Sequence, residues 1–169
     1  VLTVKINDTF FTLRTAAVIM HRKRVLLHKA GKNDFWSLPG GRINPMESSS
    51  EALVREMREE LQVDIQIRRL LWIAEYFYRE NFTNYHEIGF YYFAKLPKGS
   101  DLFDPSRVYT TQDGATKLEF RWYSIASLTS LSLYPEFLKS GLRSIPEKPE
   151  HLIFRDPSLN MTKQDRGAQ

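Results

Sequence analysis

The chain has 169 residues, 42% hydrophobic and 26% charged, with 24 basic against 20 acidic side chains. That length supports one hydrophobic core rather than two, and an aromatic content of 13% excludes a mainly disordered chain. No cysteine occurs, which excludes disulfide scaffolds, thiolate metal clusters and cysteine nucleophiles; the four histidines are too scattered to suggest zinc. The longest apolar runs, such as residues 16–20, are far short of a membrane span and no secretory leader is visible, so a soluble cytoplasmic protein is expected.

In chain order, residues 1–6 read as an edge strand and residues 10–20, rich in Thr, Val, Ile and Phe, as a strand entering the core. A basic turn at residues 21–24 leads to a second strand at 25–28, forming a hairpin. Pro39-Gly40-Gly41 marks a tight passage of backbone. Residues 48–61 form the clearest helix, with Ser48 and Glu51 at capping-box spacing and Leu53, Met57 and Leu61 in one apolar arc. Strands follow at 63–67 and 70–78, broken by Arg68 and Arg69. A turn at 79–84 precedes a long aromatic strand at 85–96, antiparallel to the one before. Residues 97–114 read as a loop and 118–123 as a strand. A helical turn at 125–128, a helix at 134–142 and a last strand at 151–154 complete one domain over residues 1–156. The polar segment 157–169 is expected to fray.

The helix carries an unusual charge pattern. At 100° per residue Glu56 and Glu60 lie about 40° apart, with Glu59 about 60° to their other side, so one face holds all three. Residues 47–60 carry five glutamates against two arginines inside a protein of net charge +4. Like charges so gathered repel unless cations or protons neutralise them, and hard carboxylate oxygens suit magnesium or manganese.

The full string is Gly41, five residues, Glu47, seven residues, then Arg55-Glu56-Met57-Arg58-Glu59-Glu60-Leu61-Gln62-Val63. It resembles the box of the Nudix, or MutT-related, hydrolases at every fixed position but one. Gln62 stands where the family has a glycine, at the turn leaving the helix. Trp36-Ser37-Leu38-Pro39-Gly40-Gly41 looks like the strand entering the box, and Phe120-Arg121-Trp122-Tyr123 like the family's late strand. The resemblance spans roughly residues 12 to 145. It implies an α/β fold, a Nudix-type α/β/α sandwich around a central mixed sheet, with the box as loop, helix and loop.

The resemblance also implies roles. Glu56, Glu59 and Glu60, with backbone oxygen at Gly41, would hold Mg²⁺, with Mn²⁺ as substitute. Glu59 or Glu60 would activate the attacking water, and Arg55 would pair with Glu47 to brace the loop. Gly40 would allow close approach of a diphosphate. A further base from outside the box is sought among Glu119, Glu87, Asp113 and Glu75. Aromatic rings can stack a nucleobase, and Trp72, Tyr76 and Tyr78, in a region that also holds Phe77, Phe82 and Tyr85, are the candidates.

The function expected is metal-dependent hydrolysis of the pyrophosphate bond in a nucleoside diphosphate linked to another moiety. A MutT-like nucleoside triphosphate pyrophosphatase is one alternative. A non-catalytic Nudix fold that binds nucleotide, RNA or a protein partner is the other. Tyr78, about 15 residues past the box, fits diadenosine polyphosphate members better than ADP-ribose members, which carry proline there. The expected partner is a nucleotide-like small molecule rather than a membrane. Nucleic acid is not expected, since Arg22-Lys23-Arg24 makes only a basic turn. The aromatic, strand-rich surfaces would allow a homodimer.

Overall fold

The computed structural model describes residues 3–31 and 33–160. Its sheet is centred on β2 (Thr9–His21), whose alternating side chains serve two cores, Ala17 and Ile19 on one face and Val18 on the other. One edge of β2 runs parallel to β6 (Thr83–Lys95), from Thr9 opposite Asn84 to Ile19 opposite Ala94. The other edge is shared in succession by β1 (Thr3–Ile6), β4 (Gly40–Arg42) and β3 (Arg24–Ala30), all antiparallel. Outward from β3 lie β8 (Thr116–Ser124) and β7 (Tyr109–Asp113). Beyond β6 lie β5 (Gln66–Glu80), antiparallel to it, and β9 (Glu150–Arg155), parallel to β5.

One face of this mixed sheet is covered by α1 (Ser49–Leu61), which buries Leu53 and Met57 against Ala17, Ile19, Phe120 and Trp122. The other is covered by a 3-10 turn at Ile125–Ser130 and the single-turn α2 (Leu138–Gly141). Leu128, Leu138 and Leu142 pack there on Val18, Leu27 and Trp72. Each such fully buried side chain is worth about 1.5–3 kcal/mol of transfer free energy. The layering is the expected α/β/α sandwich, thin on its second side. No helix among the described residues is long and apolar enough to cross a membrane.

Several sequence expectations need correction. Arg68 and Arg69 do not break the strand: β5 is continuous, with irregularities in register between Ile67 and Arg69 and between Leu70 and Trp72 that absorb the two polar residues. Residues 63–65 lie outside it as a connector. The turn expected at 79–84 is only two residues, because both strands run on to its edges and Asn81 and Phe82 alone adopt positive φ. The stretch 97–114 is not all loop. It contains β7, which pairs with β8 from Tyr109 opposite Phe120 to Asp113 opposite Thr116. The helix expected at 134–142 shrinks to Leu138–Gly141. In the expected tail, Pro157–Asn160 forms a 3-10 turn against β5, while residues 161–169 lie outside the described residues.

Both ends of α1 are built from local chemistry. The Ser48 hydroxyl accepts from the Glu51 N–H at 3.2 Å, and the Ser48 N–H donates to Glu51 Oε2 at 2.9 Å. At the far end Gln62 sits in the left-handed region (φ 54°, ψ 37°), where its N–H reaches the Arg58 carbonyl and that of Val63 the Met57 carbonyl. A side chain in that conformation carries strain that glycine lacks. Gln62→Gly should therefore stabilise the fold by roughly 0.5–1 kcal/mol, and Ser48→Ala should cost about 1 kcal/mol. Urea unfolding of the two variants beside the parent chain checks both signs.

Candidate active site

Arg55 is the hub of the helix face. Its Nε and Nη2 donate to Glu47 Oε1 and Oε2 at 2.7 and 2.9 Å, a bidentate pair. Nη1 donates to Glu56 at 2.8 Å and Glu59 at 3.1 Å, and Nη2 also reaches the Arg42 carbonyl at 3.0 Å. The Asn44 N–H completes the set on Glu47. The Arg55 guanidinium holds the Glu47 carboxyl down to about 2. One cation thus ties the loop after β4 to α1 and quenches the repulsion among three carboxylates.

Glu60 points the other way, into the sheet, and is 6% exposed. Its Oε2 lies 3.8 Å from His28 Nδ1 on β3, too far for a hydrogen bond, and neither atom has a partner among the described residues. Burial pushes Glu60 up to about 8, with Glu56 and Asp113 adding to the push. Burial pulls His28 down to about 4, and Arg14 adds to it. At neutral pH the pair is uncharged.

The two glycines are needed where they stand. At Gly40 (φ 142°) a Cβ would run into the Thr15 carbonyl and Ala16 Cα of β2. At Gly41 it would overlap the Glu56 carboxylate, so the bare backbone of β4 is what lets Glu56 lie against it.

Glu56, Glu59, Glu60 and Asp113 line a cavity of about 580 Å³ together with Gly40 and Gly41. An adjoining compartment of about 480 Å³ is lined by Phe35, Tyr78, Glu87, Tyr91 and Tyr134. Arg14, Phe35 and Ser37 line both, so the two form one cleft. Arg14, half-buried at the junction, makes no hydrogen bond or ion pair to any described residue.

The box residues expected at the site, and Tyr78, all meet in this cleft or its supporting network. Others do not. Trp72 is 2% exposed in the second core, edge-on to Phe137, and Tyr76 is buried there in a stack on Phe154; packing, not ligand contact, occupies both rings. Glu119 points to the opposite face of β8, where Arg121 holds it at 2.6 Å, and does not line the carboxylate cavity. Glu75, on β5, bonds His151 of β9 and lines neither compartment. Glu87 lines the aromatic compartment rather than the carboxylate one, and of the four acids sought outside the box Asp113, on the strand the sequence had hidden, is the one that lines the carboxylate cavity. Arg14 and His28 were missed. A lone arginine in the run Leu13-Arg14-Thr15-Ala16-Ala17-Val18 was the signal for the first.

The donor chemistry fits a divalent ion, since the carboxylates are hard oxygens and the buried Glu60 oxygen lacks a partner. Glu56 and Glu59 are turned onto Arg55, and no three acidic or histidine side chains among the described residues are gathered closely enough to hold an ion in this arrangement.

The sequence profile of the NUDIX domain matches residues 11–143. The chain belongs to the Nudix family. Nudix hydrolases generally need divalent metal ions. The chain is 46% identical over 43 residues to a Bacillus subtilis protein whose name assigns it, provisionally, 8-oxo-dGTP diphosphatase activity, covering 25% of this chain and 29% of that one. It is 37% identical over 65 residues to an RNA pyrophosphohydrolase of Ruthia magnifica, covering 38% and 36%. The matches thus span about a third of each relative. Among solved structures, a UDP-X diphosphatase shares the fold at TM-score 0.60 and 19% identity, covering 83% of this chain and 66% of that one. A Nudix hydrolase from Nitrosomonas europaea shares it at TM-score 0.60 and 22% identity, covering 78% and 86%.

The buried Glu60–His28 pair makes the metal-free protein pH-sensitive. Folded Glu60 keeps its proton to about pH 8, whereas the unfolded chain loses it near 4.5; folded His28 stays neutral down to about 4, whereas the unfolded chain protonates it near 6.5. Between 4.5 and 6.5 the two proton differences cancel. Above 6.5 only the extra proton on folded Glu60 remains, so stability falls as pH rises toward 8, by up to about 2 kcal/mol. Denaturant unfolding in chelator across this range checks it, and Glu60→Gln should abolish the decline.

Proposed function

We propose that the chain is a divalent-metal-dependent pyrophosphohydrolase acting on a nucleoside diphosphate linked to another moiety. The observation that carries this reading is the unpartnered, buried Glu60 oxygen in a cavity that also holds Glu56, Glu59 and Asp113. Folding alone gains nothing from burying a carboxyl oxygen that no donor satisfies. Glu56, Glu59, Glu60 and the Gly41 carbonyl would hold Mg²⁺, with Mn²⁺ as substitute. Bound there, the ion would shield diphosphate charge and help to activate water as a nucleophile.

The rest of the chemistry falls to the chain's own groups. Glu47 and Arg55 preorganise the carboxylate face, so little ordering is left for the reaction itself. Glu60, which would be ionised only with a cation beside it, would then accept a proton from the attacking water, with Glu59 as the alternative acceptor. Water adds to one phosphorus as its bond to the bridging oxygen breaks, and that oxygen leaves on the second phosphate. The free guanidinium of Arg14 offers a phosphate its counter-charge at the junction of the compartments. The carboxylate compartment is also lined by the uncharged Ala30, Asn33, Thr116 and Leu118, which offer contact to a neutral moiety beyond the diphosphate.

A nucleoside triphosphate is the second reading, favoured by the name of the Bacillus subtilis relative and its 46% identity over 43 residues. Nucleotide sugars, dinucleoside polyphosphates, ADP-ribose and nucleoside triphosphates incubated with Mg²⁺ or Mn²⁺ and resolved by chromatography separate the two. Glu60→Gln should cut turnover at least about a hundredfold while the protein stays folded. Gly41→Ala, through its clash with Glu56, should cost about tenfold or more in kcat/KM. Full activity of Glu60→Gln would sink the mechanism, and silence across the panel by a folded, metal-loaded protein would favour the non-catalytic binding fold.

A further inference from the structure

The acid Glu87 enters the aromatic compartment from β6, on the face opposite α1, and makes no hydrogen bond or ion pair to any described residue. Burial raises its pKa, while Arg14 and Arg42 act in the opposite sense and favour its charge. Around it stand flat rings. Tyr134 and Phe35, 41% and 37% exposed, lie with centroids 5.5 Å apart at the mouth, and Tyr78 stacks on Tyr85 at 4.8 Å on the inner side. Arg14 sets the direction, because the carboxylate cavity lies on its other side. A bound nucleotide with its phosphates at Arg14 places its base among these rings.

Four bases offer a carboxylate four different edges. Uracil presents one N–H between two carbonyls, which repel it. Adenine and cytosine present an amino group beside a ring nitrogen acceptor, again repulsive on one side. Guanine alone presents two adjacent donors, N1–H and the exocyclic amino group, spaced for both oxygens of one carboxylate.

We propose that the aromatic compartment is a guanine-selective nucleobase pocket in which Glu87 accepts from N1–H and the exocyclic amino group while Tyr134, Phe35 and Tyr78 hold the ring. The pocket deepens the pyrophosphohydrolase reading and rests on it only for where the phosphates lie. Stacking supplies base-tolerant affinity, and Glu87 supplies the choice of base.

Calorimetric titration of GMP, IMP, AMP and UMP into metal-free protein tests this without requiring turnover. GMP should bind about tenfold or more tighter than AMP or UMP, with IMP, which lacks the exocyclic amino group, between them. Glu87→Gln should erase that margin and leave AMP within about threefold; should it fail to fold, Glu87→Asp, which withdraws the carboxylate by one methylene, should also narrow the margin. Tyr134→Leu should weaken all four nucleotides by a similar factor. Equal affinity for GMP and AMP, a guanine margin that survives Glu87→Gln, or no nucleotide binding at millimolar concentration would each overturn the proposal. Selective GMP binding by a protein that hydrolyses nothing would uphold the pocket and defeat the catalytic reading. Hydrolysis without base preference would do the reverse.

Discussion

The arrangement at the candidate site depends on one guanidinium. Glu56 and Glu59 on the helix and Glu47 in the loop before it would drive each other apart, and Arg55 stands where it meets all three. Its planar fork is what allows this, because a lysine ammonium would offer one point of charge instead of parallel donors. Through Glu47 and the Arg42 carbonyl the same group fixes the loop between β4 and α1. β4, which leads into that loop and carries the two glycines, ends at Arg42, so the backbone that must come close to Glu56 is held by the side chain that also steadies Glu56.

Glu60 obeys a different constraint. It leaves the Arg55 network and enters the interior beside His28, where burial makes both neutral. An acid kept protonated by desolvation is poised for an event that restores its charge, and arrival of a cation is such an event. The helix therefore presents two kinds of carboxylate on one face: those held by Arg55 outside, and one buried inside with an oxygen left unpartnered. That division follows from the sheet, which is close beneath Glu60 and distant from Glu59.

The same sheet explains why the cleft has two chemically distinct halves. α1, β4 and the β7–β8 hairpin bring carboxylates to one end, whereas β5, β6 and the segment around Tyr134 bring rings to the other. Arg14 sits between them because β2, at the centre of the sheet, is the one strand whose edges touch both β4 and β6. A free cation between an acidic pocket and an aromatic one is a site for the middle of an extended anionic molecule, and the proposed nucleotide substrate has that shape.

Much of this was legible in order along the chain. The helix at 48–61, its capping box, the glutamate face, the Arg55–Glu47 spacing and the left-handed exit at Gln62 are local, depending on periodicity and residues within about eight positions of one another. The strands at β2, β3, β6 and β8 likewise follow from local runs of β-branched, apolar and aromatic residues. What the sequence could not decide was anything set by partners distant in the chain. β7 has no apolar alternation and becomes a strand only because β8 supplies its hydrogen bonds. Arg68 and Arg69 looked like a break because the bulges that absorb them arise from pairing with β6. Trp72, Tyr76 and Tyr78 are alike as sequence, and only the packing of α2 and Phe154 over the first two leaves Tyr78 facing the cleft. Asp113 and Arg14 stand 99 positions apart. Charge type and spacing determined the chemistry of the box; the folding of remote strands onto β2 decided what surrounds it, because contact between distant residues is a property of the assembled sheet and of no local stretch of chain.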